Sequence, residues 1–234
     1  VTVSGRISIS GNWANNYSYT DVDGSGAELY FFNRTVTQTL GGTHSTAISE
    51  LLFGGGTAST VSITKDSAFV VKDLLAMDDV GNLSISGHTL IIEGSIERNN
   101  SGTTSFSSNQ IRLNGEQDQM LSGSYPLKLY DLYLRKTGGS FTLNDTLIIT
   151  NELEMGLGNI YSDASYPLIM TDNATMFTAG ISPVVGSADS HIEGPMIKKG
   201  NDAFVFPIGK NGVYNPIGIS APSSTSDVFV AEYF

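Results

Sequence analysis

Residues 69–77 read FVVKDLLAM, and residues 147–155 read LIITNELEM. Apolar side chains fall at the same places in both: Phe69/Leu147, Val71/Ile149, Leu75/Leu153 and Met77/Met155. The match continues without a gap from 62–93 over 140–171. Upstream, at an offset of 81, residues 29–53 lie over 110–134, so Gln38 meets Gln119, Leu40 meets Leu121, Ile48 meets Leu129 and Leu51 meets Leu132. A unit of about 80 residues therefore occurs twice, as copies 29–109 and 110–190, with a partial copy in 1–28. No other feature constrains the fold as strongly.

Strand alternation fills the copies. Leu83/Ile85, Ile111/Leu113, Leu127/Leu129, Leu132/Leu134 and Phe141/Leu143 alternate with polar residues, the period of a strand with one face in and one face out. Gly, Asn, Asp and Ser separate these runs, as turns require. Short strands repeated at a long fixed period are the mark of a solenoid, because each coil leaves backbone groups unpaired until the next coil stacks on it. The fold predicted is all-β: a right-handed parallel β-helix over residues 1–197, about three coils to a repeat. Residues 198–234 are predicted to begin a β-sandwich-like domain, incomplete at Phe234. Two homologous sandwiches of about 80 residues are the competing arrangement. Few Asn-Gly or Asp-Gly pairs stand centred between matched strands, which favours the solenoid.

The chain has 234 residues, a net charge of −11, 26 glycines and no cysteine. The acidity disfavours nucleic acid and anionic membranes as partners. It leaves room for calcium, a hard cation that prefers carboxylate oxygens. Without cysteine there are no disulfides, thiolate metal sites or cysteine nucleophiles. No apolar run is long enough to span a membrane. The opening VTVSGRISIS starts mid-pattern, which reads as an internal or mature region of a longer protein.

GRISISGNWANN, AELYFFN, QTLGG and AISELLF occur in that order, and the tail carries FPIGK at 206–210 and YNPIGIS at 214–220. This series resembles the repeat region of large cell-surface proteins of Bacteroidetes and the segment that follows it. The resemblance covers most of the chain. It implies export by the type IX secretion route, an extracellular, cell-surface location and an adhesin-like role. It also implies a further marker. DSA at 66–68 and DTL at 145–147 match the Asp-Ser/Thr-aliphatic signal for O-glycosylation in such bacteria, with Ser67 and Thr146 as acceptors.

Candidate sites are few. DVDGSGAE at 21–28 offers Asp21, Asp23 and Ser25 as oxygen ligands with Gly26 at the sharp turn, the first half of an EF-hand loop. Phe32 stands where the closing bidentate Glu belongs, so a polar turn is the plainer reading. Thr35, Thr37 and Thr39 share one face of RTVTQT at 34–39. A ladder of such threonines in neighbouring coils would suggest ice binding. The matching stretch of the second copy reads EQDQM, so an ordinary exposed strand is expected. Trp13, Tyr17 and Tyr19 form the one aromatic run and are candidates for stacking on sugar rings. His44, His88 and His191 lack metal-ligand spacing. Asp78–Asp79 and Glu152/Glu154 could line a groove, as carboxylates do in polysaccharide-cleaving enzymes, but are expected on a solvated face. Pro207 and Pro216 should bracket a turn in which Gly209 and Gly212 take positive φ.

The function these features imply is a non-catalytic structural or adhesive module, possible in a fibre or filament. Its partners would be surface glycans, other copies of itself or a surface assembly. The alternative is a carbohydrate-binding or polysaccharide-active β-helix.

Overall fold

A computed structural model describes residues 5–17, 19–20, 26–32, 37–54, 56–64, 68–78, 80–107, 110–176 and 185–234. The described chain is all-β and builds a parallel β-solenoid. It forms two compact units, residues 1–112 with 122–125, and 113–121 with 126–234.

Two parallel sheets make the first unit. One stacks Gly5–Ile9, Ala27–Phe31, Thr46–Phe53 and Phe69–Met77, with Leu90–Ile92 and Ser95–Arg98 both lying on the last of these. The other stacks Trp13–Asn15, Thr37–Gly42, Gly56–Ile63, Val80–Gly87 and Thr104–Ser107. In the second unit Leu127–Arg135 pairs with Leu147–Leu157. That strand pairs with Leu168–Met170 and Thr175–Met176, and Leu168–Met170 pairs with Met196–Lys199. Beyond it the order changes. Val228–Ala231 runs antiparallel to Met196–Lys199, and Phe204–Phe206 runs antiparallel to Ile217–Ile219.

Inward side chains stack in rows, one per coil. Thr46, Phe69 and Leu90 form one row, and Ile48, Val71 and Ile92 the next. In the second unit Leu127, Leu147, Leu168 and Met196 stack in the same way. At the four apolar positions shared by FVVKDLLAM and LIITNELEM, all eight residues are buried. The repetition in sequence is thus the repetition of a core row.

Alternation slips at corresponding points of the two copies. Ile48 and Leu51 both point inward although they differ in parity, and so do Leu129 and Leu132. A register shift lies at each point, between Ile48 and Glu50 and between Leu129 and Asp131. The extra residue lies in the paired strand, which has two residues between Val71 and Leu74, and between Ile149 and Glu152, where Thr46–Phe53 and Leu127–Arg135 have one. The sheet containing Thr37–Gly42 pairs without such shifts at Gly56–Ile63, Val80–Gly87 and Thr104–Ser107.

Turns close on the coil beneath. Gln38 is buried, and its Nε2 donates to the Ile9 and Gly11 carbonyls at 3.0 and 2.8 Å. Gly42 and Gly123 occupy the same place in the two copies and take φ +114° and +142°. A Cβ on Gly42 would overlap the Asn15 carbonyl, and one on Gly123 the Arg98 carbonyl.

The tail corrects one expectation. Asn211 and Gly212 take φ 51° and 75°, as a two-residue hairpin between Gly209–Lys210 and Val213–Tyr214 demands. Gly209 does not adopt positive φ. A Cβ there would meet the Val213 carbonyl across the hairpin first, and then the His191 ring, 2.6 Å from Cδ2. Close approach selects that glycine, and backbone conformation does not.

Candidate functional site

Alternation in the second sheet of the first unit sends Gln38, Leu40, Val61, Ile63, Ile85 and Phe106 inward, all buried. The residues between them therefore face out. Register then aligns them across four coils. Thr37 lies beside Thr60, Thr60 beside Ser84, and Ser84 beside Ser105. Two residues along, Thr39 lies beside Ser62, Ser62 beside Ser86, and Ser86 beside Ser107. Two ranks of four hydroxyls result. Strand geometry spaces them about 4.8 Å apart along each rank and about 6.6 Å between ranks. All eight are exposed or half-buried. Among the described residues none of the eight hydroxyls makes a hydrogen bond within the chain.

For residues 37–39 this corrects the choice of neighbour on which the expectation at 34–39 rests. The neighbour of Thr37 and Thr39 is the next coil, which carries Thr60 and Ser62, and not the second copy, which carries EQDQM. Thr35 lies outside the described residues.

Asp21, Asp23, Ser25, Ser67 and Asp79 also lie outside the described residues. Among the described residues no group of three or more His, Asp or Glu is placed to hold a metal ion. Thr146 is half-buried, and its N–H donates to Asp145 Oδ1 at 2.6 Å. Trp13 takes the register position of the buried Leu40 and is half-buried, whereas Tyr17 is 84% exposed. Tyr19 lies in a strand paired to Thr46–Phe53, and its side chain is not among the described ones. Among the described side chains of the aromatic run, Tyr17 offers an open ring face.

Glu154 was expected on a solvated face. It is 8% exposed instead. Arg135 grips it through Nε at 2.9 Å and a second guanidinium nitrogen at 3.0 Å. Glu152 accepts from the Tyr133 hydroxyl at 3.1 Å. Both carboxylates are structural ties between coils.

Three buried polar centres were not foreseen. Lys136 Nζ donates to the Gln117 carbonyl at 2.8 Å and Gln119 Oε1 at 2.6 Å, and burial pushes its amine below the usual lysine range. His191 sits between the Ser187 carbonyl and Glu193 Oε1, both at 3.2 Å. Lys198 is fully buried, and its Nζ donates to the Thr171 carbonyl at 2.8 Å and Asp202 Oδ2 at 2.9 Å. Parity held the signal for the lysines. Lys136 follows Leu132 and Leu134 at a spacing of two, and Lys198 follows Met196. An open depression of about 350 Å³ lies over Lys136, Gly158, Asn159 and Asp189.

The Lys198 hydrogen bond holds the Asp202 carboxyl below the ordinary carboxylate range, aided by the Asn173 N–H. A carboxylate depressed in the folded chain adds stability above its unfolded value, and that stability is lost as pH falls through the folded value. Asp202→Asn is therefore expected to flatten the acid limb of a plot of melting temperature against pH. An unchanged acid limb would contradict the pairing.

Glu50 moves the opposite way. Burial raises its carboxyl, and Glu28 in the neighbouring strand and Asp73 add to the rise. Arg6 pairs with Glu28 at 2.6 Å, and Glu50 has only the weaker influence of that cation. Glu50→Gln is expected to stabilise the chain by about 0.2–1 kcal/mol at neutral pH, by removing a like-charge neighbour. The gain should vanish as pH falls and Glu50 protonates. Denaturant titration at both pH values checks it.

No protein-family model, curated protein or solved structure matches this chain.

Proposed function

We propose that this chain is a non-catalytic structural and adhesive module of an exported bacterial surface protein. The observation that carries the reading is the recurrence of outward positions, coil after coil, in register. The hydroxyl ranks are one instance. Ile148, Ile169, Ile197 and Val230, aligned on successive strands of the second unit, are another. Recurrent weak contacts add up against a repeating partner, which is what adhesion by a solenoid requires. The resemblance to Bacteroidetes surface repeats supports the extracellular location. Thr146, half-buried beside Asp145, supports a glycosylated surface. Among the described residues no helix is long and apolar enough to cross a membrane.

Other copies of the chain form the second class of partner. Val228–Ala231 carries neither proline nor charge, and Val228 and Val230 are exposed. Such an edge is open to strand pairing.

An antibody against the purified chain tests the reading. It should label intact cells of the source organism, and the natively sourced protein should carry excess mass on the peptide holding Thr146. Labelling confined to lysed cells would overturn the surface location.

A carbohydrate-binding reading has its own support in the uncharged hydroxyl array and the exposed Tyr17 ring. Its hydrolytic or lytic form has no comparable support, because the acidic pair Glu152/Glu154 is tied to Tyr133 and Arg135.

A further inference from the structure

Eight hydroxyls stand in register across four coils. The net charge is −11, yet none of the outward residues described on these strands is charged. A solvated surface of an acidic protein has no need to exclude lysine, aspartate and glutamate from a run of four coils. Nor does packing select the hydroxyls, because their side chains point away from the core.

We propose that this face binds an uncharged, hydroxyl-rich polysaccharide laid along the stack, one sugar unit to each coil. The inference rests on the adhesive reading above and names its ligand class. A single serine hydroxyl exchanges water for a sugar hydroxyl with little net gain. Affinity therefore needs many such exchanges on a rigid partner that repeats at the same interval. The strand spacing of about 4.8 Å is close to the length of one pyranose unit in an extended chain. The sheet is suited to hold that interval, since no register shift interrupts the ladders from Thr37 to Ser107. An uncharged ligand follows from the uncharged face: a polyanion would find no cation here, and a polycation no acid. Ice is the other repeating solid. Five of the eight positions are serine. They lack the methyl group through which threonine would order water beside its hydroxyl, and offer hydrogen bonds alone. The array thus fits a hydroxylated polymer better than a water lattice. Asn12 marks one end of the ranks, since its Oδ1 accepts from the Thr39 N–H at 2.9 Å.

The test is co-sedimentation of the full 234-residue chain with insoluble cellulose, chitin and β-1,3-glucan, and with pectate gel as a charged control. Depletion onto at least one neutral polymer, unchanged at high salt, is the expected result. Thr60→Val and Ser84→Ala each remove one central hydroxyl and keep the volume or the strand. Each should weaken binding about two- to tenfold, and the pair more. Thr150→Val in the second unit should have no effect, and thermal melts should show all variants folded. Four results would overturn the proposal. One is no depletion on any neutral polymer. The second is binding to pectate alone that salt abolishes. The third is binding that survives Thr60→Val with Ser84→Ala but is lost in Tyr17→Ala. The last is ice-crystal shaping by the wild type without polymer binding. None of these bears on whether the chain lies at the cell surface, which antibody labelling decides separately.

Discussion

Replacing Gly42 with alanine is expected to destabilise the first unit by roughly 2–5 kcal/mol, and Gly123→Ala should behave alike. Two costs add at each position. The backbone stands at φ +114° or +142°, where a side chain is strained by about 1–2 kcal/mol. The new methyl also meets a backbone carbonyl of the neighbouring coil, Asn15 or Arg98, and such overpacking costs about 1–3 kcal/mol. Neither carbonyl belongs to a flexible side chain that can swing aside. Gly212, with φ +75° and open space around the position of a Cβ, separates the two causes: alanine there should cost only the conformational part. Urea denaturation of the three variants gives the comparison. If Gly42→Ala and Gly212→Ala cost the same, the contact with the coil beneath contributes nothing.

Phe69→Ala is expected to cost about 3–5 kcal/mol. Phe69 is fully buried in a row between Thr46 and Leu90, so the lost ring leaves a gap bounded above and below by neighbouring coils. Those coils are held at the strand spacing by their own ladders and cannot collapse into it. Phe69→Leu installs the residue that the second copy uses at Leu147, and should cost less than about 1.5 kcal/mol. A cost for Phe69→Leu equal to that of Phe69→Ala would mean that the two copies do not build equivalent rows.

How much of this was legible beforehand differs from feature to feature. The core rows were readable because the two copies place Phe69 and Leu147, or Leu75 and Leu153, at corresponding points. Gly42 and Gly123 were aligned by the same offset. The hydroxyl array was not readable that way. Its members stand beside one another at separations of 23, 24 and 21 residues, from Thr37 to Thr60, to Ser84 and to Ser105. Coils of unequal length hide a column from any search at a constant period. The long offset of 81 compares Thr37 with a residue of the other copy, whereas its neighbour in space is one coil away. The buried lysines were missed for a different reason. Charge argued for the surface, and parity argued for the interior. Parity prevailed because Lys136 and Lys198 find acceptors in Gln117, Gln119, Thr171 and Asp202. Gly209 shows the limit of residue type as a guide, since lack of room beside the Val213 carbonyl and the His191 ring selects it, and positive φ does not.

The two sheets of the first unit also differ in slack. The sheet through Thr46–Phe53 already carries an irregularity: Phe69–Met77 takes up a spare residue between Val71 and Leu74, opposite the step from Ile48 to Glu50, and the rows on either side stay aligned. The sheet through Gly56–Ile63 has no such place. Loss or gain of one residue there would turn Thr60 and Ser62 inward and Val61 outward, because side chains alternate with a period of two. Small changes in length can therefore accumulate during divergence in one sheet of a coil and not in the other. Of the two, the sheet that tolerates no drift is the one that displays the hydroxyls.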